Sequence, residues 1–286
     1  MKMIGYYNGV LGNLQEMQIP MQDRALYFGD GVYDFTPAYN GKLFAIEDHL
    51  DRFFHSMEML SIRPYCDRET LKKELERCVA ATESTEPMAV YWQTSRGNCR
   101  RNHIFPPEGT PTTLLITVTP LKPLDPNVSL KLASFEDKRF QYCNIKTLNL
   151  IPNVLAAQYA EEQGCQEAVF HRGKFVMECA HSSLVLLKDG VLMAPPLDDR
   201  ILPSITRKHI TAICKTLDVP VEERKITMDE LYEADELIVL SSSKLIARAN
   251  VLDGKPVGMS DSMLFTMIRD AYFRMVEKET GYRIGE

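Results

Sequence analysis

Between positions 47 and 61, Leu50, Phe53, Phe54, Met57 and Leu60 recur at the three- and four-residue spacing of a single helix face. Glu47 and Asp48 stand in the first turn, where acidic groups complement the helix dipole. The spacing predicts an amphipathic helix. Upstream, Val32 to Tyr39 has strand-like residues, and Asn40-Gly41 ahead of Leu43-Phe44 is a dipeptide that suits a tight hairpin turn. A second helix is predicted over 68–82. Strands are predicted over Met88–Ser95 and Thr113–Val118, which carry β-branched and aromatic residues without internal Pro or Gly.

Pro120, Pro123 and Pro126 then follow in quick succession, a composition that favours extended linker. The expected organisation is α+β in two domains. A small N-terminal α+β domain covers 1–119, a linker 120–127, and a larger domain 128–286 with a mixed, barrel-like sheet and covering helices. In that second part, short strands are expected at 129–135, 166–170, 174–178, 183–187 and 236–241, and helices after Pro152, near 204–217 and over 260–279. Pro152 at a helix start and Gly164 just past its end follow the usual asymmetry of helix ends. Arg172-Gly173 and Asp189-Gly190 suggest further hairpins.

Composition narrows the function classes. A net charge of -6 with no Lys/Arg block gives no basic stripe for nucleic acid or an anionic membrane, though small anions need only a few cations. The start of the chain lacks the apolar core of a signal peptide, and no apolar run approaches the ~20 residues that span a bilayer. A cytoplasmic location is the default expectation. The seven cysteines are scattered without a C-x-x-C pair, which argues against a disulfide framework or a zinc cage, and Cys179-x-His181 alone is too few ligands for a metal. No metal is expected. Dinucleotide, P-loop, nucleophile-elbow and H-E-x-x-H signatures are absent.

Chemistry is therefore sought in single residues. Lys146 lies in Cys143-Asn144-Ile145-Lys146-Thr147-Leu148-Asn149-Leu150-Ile151-Pro152, flanked by apolar residues just before a predicted helix. A lysine is ordinarily a solvated surface charge. One pointing into a pocket loses its proton more readily and becomes a nucleophile toward a carbonyl.

The tract Asn144 to Asn149 resembles the cofactor-lysine motif of the class IV (fold type IV) pyridoxal-phosphate enzymes, which include D-amino acid aminotransferases, branched-chain aminotransferases and aminodeoxychorismate lyases. The resemblance runs in order over nearly the whole chain and is closest to the D-amino acid aminotransferases. It implies that Lys146 carries pyridoxal 5'-phosphate and that Glu178, in Phe175-Val176-Met177-Glu178, faces the pyridine nitrogen and keeps it protonated. It implies a phosphate site made of Arg52, in Asp48-His49-Leu50-Asp51-Arg52, the helix-start residues Ile205 and Thr206, and the hydroxyl-rich turn of Ser241, Ser242 and Ser243.

Tyr33 stands in Phe28-Gly29-Asp30-Gly31-Val32-Tyr33-Asp34, similar to a family strand, with Asp23-Arg24 also on pattern. Arg101 and His103, within Ser95 to His103, resemble the carboxylate trap of the D-specific members, gripping the substrate α-carboxylate with Tyr33. Arg100 is expected to be an ordinary surface charge. The chain departs from the family after Glu178, where it reads Cys179-Ala180-His181-Ser182-Ser183 in place of small and hydroxyl-bearing residues, so that His181 becomes a further substrate-binding candidate. The resemblance implies a homodimeric aminotransferase acting on an amino acid, D-alanine for instance, and a 2-oxo acid. Its rivals are aminodeoxychorismate lyase or branched-chain transamination on the same scaffold, and a catalytically silent binding homologue, against which Lys146 and Glu178 together speak.

Overall fold

A computed structural model describes residues 2–123 and 125–285. Leu124, within the expected linker, and the end residues Met1 and Glu286 of the two expected domains lie outside the described residues. The chain forms two compact units. Unit 1 comprises Met1–Pro123, Ile145–Asn149 and Lys278–Tyr282; unit 2 comprises Leu124–Asn144, Leu150–Glu277 and Arg283–Glu286.

Unit 1 contains strands β1 (Ile4–Tyr7), β2 (Val10–Asn13), β3 (Gly31–Tyr39), β4 (Lys42–Leu43), β5 (Met88–Ser95) and β6 (Thr113–Pro120), and helices α1 (Arg24–Phe28), α2 (Ile46–Met59) and α3 (Arg68–Ala80). The strands form one antiparallel sheet in the order β2-β1-β6-β5-β3-β4. Asn40 and Gly41 both take positive φ, 50° and 72°, as the turn between β3 and β4 requires. Leu50, Phe53 and Met57 on the inner face of α2 pack with Leu71 and Leu75 of α3 and Val90 and Trp92 of β5 in one core cluster. The predicted helices and strands of this part are all present. The hairpin β1–β2, turning at Asn8-Gly9, and the short α1 are additions that the pattern did not reveal.

The segment Ile145–Asn149 extends this unit. Tyr33 N–H donates to the Lys146 carbonyl at 2.9 Å, Leu148 N–H to the Gly31 carbonyl at 3.1 Å, and Val32 bridges Thr147 in antiparallel sense. The approach is close enough to require a glycine. A Cβ on Gly31 would lie 2.3 Å from the Thr94 carbonyl oxygen and 2.8 Å from a Leu148 methyl.

Unit 2 contains β7 (Leu130–Glu136), β8 (Glu167–Arg172), β9 (Phe175–Cys179), β10 (Ser183–Lys188), β11 (Val191–Ala194), β12 (Val221–Glu223), β13 (Glu236–Ser241), β14 (Leu245–Leu252) and β15 (Lys255–Pro256). Its helices are α4 (Ile151–Glu162), α5 (Ile205–Thr216), α6 (Met228–Tyr232) and α7 (Ser262–Thr280), the last running on into unit 1. The sheet is mixed, in the order β12-β11-β10-β13-β14-β7-β8-β9, with β15 against β14. Although β9 ends this order, Cys179 N–H donates to the Ser182 carbonyl in a tight turn that leads into β10, near the opposite end. The sheet must therefore curl, in accord with the barrel-like expectation. Strand β11 completes the hairpin suggested by Asp189-Gly190, whereas β12, β14, β15 and α6 are unpredicted. Among the described residues no helix is long and apolar enough to cross a membrane.

Candidate active site

In unit 1 the lysine segment lies along β3, which brings the Lys146 ammonium 4.2 Å from the centroid of the Tyr33 ring. Tyr33 in turn stacks on Tyr91, with centroids 5.4 Å apart. Ser56 Oγ lies 3.4 Å from the Lys146 backbone N–H. Lys146 and Tyr33 are both only partly buried, so the amine is positioned by the sheet without being sealed in it.

Arg52, on the inner side of α2, donates through Nε and Nη2 to both carboxyl oxygens of Asp34, at 2.9 and 2.7 Å. His49 Nδ1 approaches the same carboxylate at 2.8 Å, and Asp34 is fully buried. Burial pushes the Asp34 carboxyl up, but the Arg52 guanidinium and His49 outweigh it and hold the acid far below the usual carboxylate range. Burial likewise pushes His49 down. The guanidinium expected to bind phosphate is thus fixed in direction by an acid to which the sequence reading gave no role.

Arg101 and His103 are exposed on the loop after β5, and both meet one ring. The Arg101 guanidinium lies 5.1 Å from the Phe28 centroid, and the His103 ring 5.2 Å from it. The loop is fastened at its base. Arg24 donates to Asp30 at 2.6 Å and to the Asn102 carbonyl at 2.7 Å. Arg96 donates to Asp30 and to the Leu60 and Ser61 carbonyls, and stacks 3.8 Å over Phe105. Gly97, with φ of 119°, begins the loop where a Cβ would meet the Pro111 carbonyl at 2.4 Å. The exposed Arg100 sits in the same loop.

In unit 2, Glu178 near the end of β9 is buried and receives Arg139 Nη1 at 2.5 Å and the Leu202 N–H at 3.2 Å. Arg139 is itself held by Asp137, which also takes Arg172. Burial disfavours the Arg139 charge, but the Asp137 and Glu178 carboxylates more than restore it. Sequence reasoning missed Arg139 and Asp137, whose only signal was a charged pair beside β7.

Ser204 caps α5 by accepting from the Arg207 N–H, and the first intrahelical bond is Lys208 to Ser204. The Ile205 and Thr206 N–H groups precede it and so lack an intrahelical acceptor. Thr206 is buried, as is Ser241 at the end of β13, whose hydroxyl accepts from the Lys244 N–H and faces Ser243 at 3.3 Å. Ser242 follows in the turn. A helix start with open N–H groups beside hydroxyls is a donor set suited to a phosphate.

His181 lies 3.1 Å from Glu167 and 2.5 Å from the Lys244 ammonium. Cys179, its neighbour two residues back, is buried, and burial pushes its thiol well up.

An amine, a buried carboxylate and phosphate donors are the groups a pyridoxal phosphate demands. The family model for amino-transferase class IV matches residues 31–251. A D-alanine aminotransferase of Staphylococcus aureus (strain COL) is 37% identical over 254 residues, spanning 88% of this chain and 90% of the relative. The chain belongs to the class IV aminotransferases.

The fold agrees. The chain is similar to a branched-chain aminotransferase of Thermoproteus uzoniensis solved with norvaline, at a TM-score of 0.88 and 24% identity, covering 99% of this chain and 97% of that one. It is also similar to the Escherichia coli branched-chain aminotransferase, at a TM-score of 0.88 and 21% identity, covering 98% and 96%. A further branched-chain aminotransferase of this fold is solved in complex with N-(5'-phosphopyridoxyl)-L-glutamate. As a class IV aminotransferase the protein is a transaminase that uses pyridoxal 5'-phosphate, and the donor set of each unit fits that cofactor.

Proposed function

We propose that this aminotransferase takes the amino group from a D-amino acid, with D-alanine as the donor, and passes it to a 2-oxo acid. One observation carries the choice: Arg101 and His103 share the Phe28 ring on a loop fastened by Arg24 and Arg96. An arginine fork and an imidazole held together suit an α-carboxylate. The relatives named for D-alanine transamination support the same choice.

Pyridoxal phosphate, when bound, supplies an aldehyde carbon to receive the amino group and a ring to draw off the electrons left at the substrate Cα. This chain's residues do the rest. Lys146 anchors the cofactor and carries the proton away from Cα. Glu178, steadied by Arg139, keeps the pyridine nitrogen protonated, while Arg52, Ile205, Thr206, Ser241 and Ser242 hold the phosphate. Arg101, His103 and Tyr33 fix the carboxylate, and His181 adds a polar contact to the substrate. Once the carboxylate is fixed, only one enantiomer directs its hydrogen toward Lys146.

The active species is a homodimer in the cytoplasm, in which the exposed loop of Arg101 and His103 serves the partner's site. The dimer reading is supported by the exposure of both residues and of Ile104 and Phe105 beside them.

The test is a panel of D- and L-amino acids with 2-oxoglutarate. Arg101→Ala should lower kcat/KM for D-alanine at least about tenfold, since a lost charge-assisted hydrogen bond costs about 1.5–3 kcal/mol, and should leave cofactor binding intact. Faster turnover of L-leucine or L-valine than of any D-amino acid by the wild type would overturn the D-specific reading. Release of pyruvate from aminodeoxychorismate without an acceptor would favour the lyase.

A further inference from the structure

Beside the residues assigned to the cofactor, unit 2 holds a charged cluster in which only His181 has so far been given a role. Glu167, at the start of β8, has a fully buried carboxylate. Ser182 Oγ donates to it at 2.7 Å, Lys244 Nζ at 3.1 Å and His181 Nδ1 at 3.1 Å. Lys244 Nζ also lies 2.5 Å from His181 Nε2, so the ammonium and the imidazole meet directly above the carboxylate that holds them both.

The cluster is placed by the sheet. Strand β10 pairs with β13 so that Ser183 faces Leu240, which sets the turn carrying His181 beside the turn carrying Lys244. His181 comes three residues after Glu178, and Lys244 two after Ser242. Leu245, next to Lys244, is held at φ of 57°, a conformation that costs a non-glycine residue energy and persists where the surroundings enforce it.

We propose that Lys244 and His181 form a subsite for a terminal carboxylate on the substrate side chain, making them specificity-determining residues for dicarboxylic amino acids and 2-oxo acids; this rests on the D-amino acid aminotransferase reading. An ammonium carries three N–H donors. Two go to Glu167 and His181, and among the described residues no acceptor takes the third. The side chain of Lys244 is 14% exposed and that of His181 52%, so the imidazole covers the ammonium on its way to solvent.

A carboxylate is the stronger acceptor, because its full negative charge adds a Coulombic attraction to the ammonium that an imidazole nitrogen does not offer. It therefore displaces His181 Nε2 from the ammonium, while Glu167 keeps Lys244 in place. A pair whose task was only to stabilise the core would do little better than apolar residues of the same size. The α-carboxylate has its own partners in Arg101, His103 and Tyr33.

The experiment compares D-glutamate with D-norvaline, which has the same chain length without the second carboxylate, as single-turnover donors to the holoenzyme. In Lys244→Met the ratio of kcat/KM for D-glutamate to that for D-norvaline should fall about tenfold or more. The double variant Glu167→Gln/Lys244→Met leaves no unpaired buried carboxylate, and the same fall should persist in it. Calorimetric titration of the wild-type holoenzyme should show glutarate binding more tightly than butyrate, with that preference lost in both variants. An unchanged ratio, or equal losses for both donors, overturns the subsite. If neither donor reacts in the wild type, the D-amino acid reading falls, and the glutarate preference alone then decides whether the subsite exists.

Discussion

Replacing Asp34 by alanine removes an acid that is fully buried and accepts His49 Nδ1 at 2.8 Å, Arg52 at 2.7 and 2.9 Å, and the Phe35 N–H at 2.7 Å. The Arg52 side chain is only 10% exposed, so water cannot replace the lost acceptor cheaply. Removing one partner of a buried ion pair costs about 3–5 kcal/mol, because the other charge stays desolvated. With a urea dependence of roughly 2 kcal/mol/M, the unfolding midpoint should fall by roughly 1.5–2.5 M.

Trp92 makes the measurement specific. It is the one tryptophan of the chain, is fully buried in unit 1, and has its ring 6.3 Å from His49, so its fluorescence follows the unfolding of that unit. Asp34→Asn should recover part of the loss, since an amide oxygen still accepts from Arg52. Affinity for pyridoxal 5'-phosphate should weaken in both variants, because Arg52 is no longer aimed. A midpoint shift worth less than about 1 kcal/mol, the range of exposed ion pairs, would refute the reasoning.

Lys146→Ala should abolish transamination, and borohydride should no longer fix pyridoxal phosphate to the chain; fixation at the wild-type level would move the anchor to another lysine. Glu167 makes stability depend on pH: burial pushes its carboxyl up, but His181, Lys244 and Ser182 bring it down to about 2 from the ordinary 4.5. A depressed acid stabilises the fold fully above its unfolded pKa and loses that contribution as pH falls toward the folded one, here about 3 kcal/mol between pH 5 and 2. Denaturant titrations across that range should show wild type losing about that much more than Glu167→Gln, and parallel curves would contradict the assignment.

What the sequence made legible was local. The α2 face and the Asn40-Gly41 turn are written in consecutive residues, and both appear as read. The β1–β2 hairpin carries an equally good Asn8-Gly9 signal, but its strands have only four residues each and hold glycines, too short to show alternation. Strand β14 was hidden because Arg248 and Asn250 break its apolar run, and Arg248 is accommodated by pairing with the buried Glu236 of β13. Of the candidate site, the residues in family motifs could be named. Their partners could not, since Arg139 lies 39 residues from Glu178 and Lys244 77 residues from Glu167. Neither pairing leaves a local trace, and only strand order brings them together.

Those partners share a logic. Lys146 apart, the long charged side chains given a chemical role, or the loop that carries them, are gripped by an acid on or beside a strand: Arg52 by Asp34 of β3, the Arg101 loop through Arg24 and Arg96 by Asp30 just before β3, Arg139 and hence Glu178 by Asp137 after β7, and Lys244 by Glu167 of β8. Compared with well-packed apolar residues of the same size, such pairs contribute little net stability, because desolvating two charges offsets most of their attraction. Their value is directional. A free arginine or lysine samples many rotamers, and binding a small anion would have to freeze them at that moment. An acid fixed by the sheet makes that ordering part of folding, so that the binding energy of substrate and cofactor goes into alignment for proton transfer.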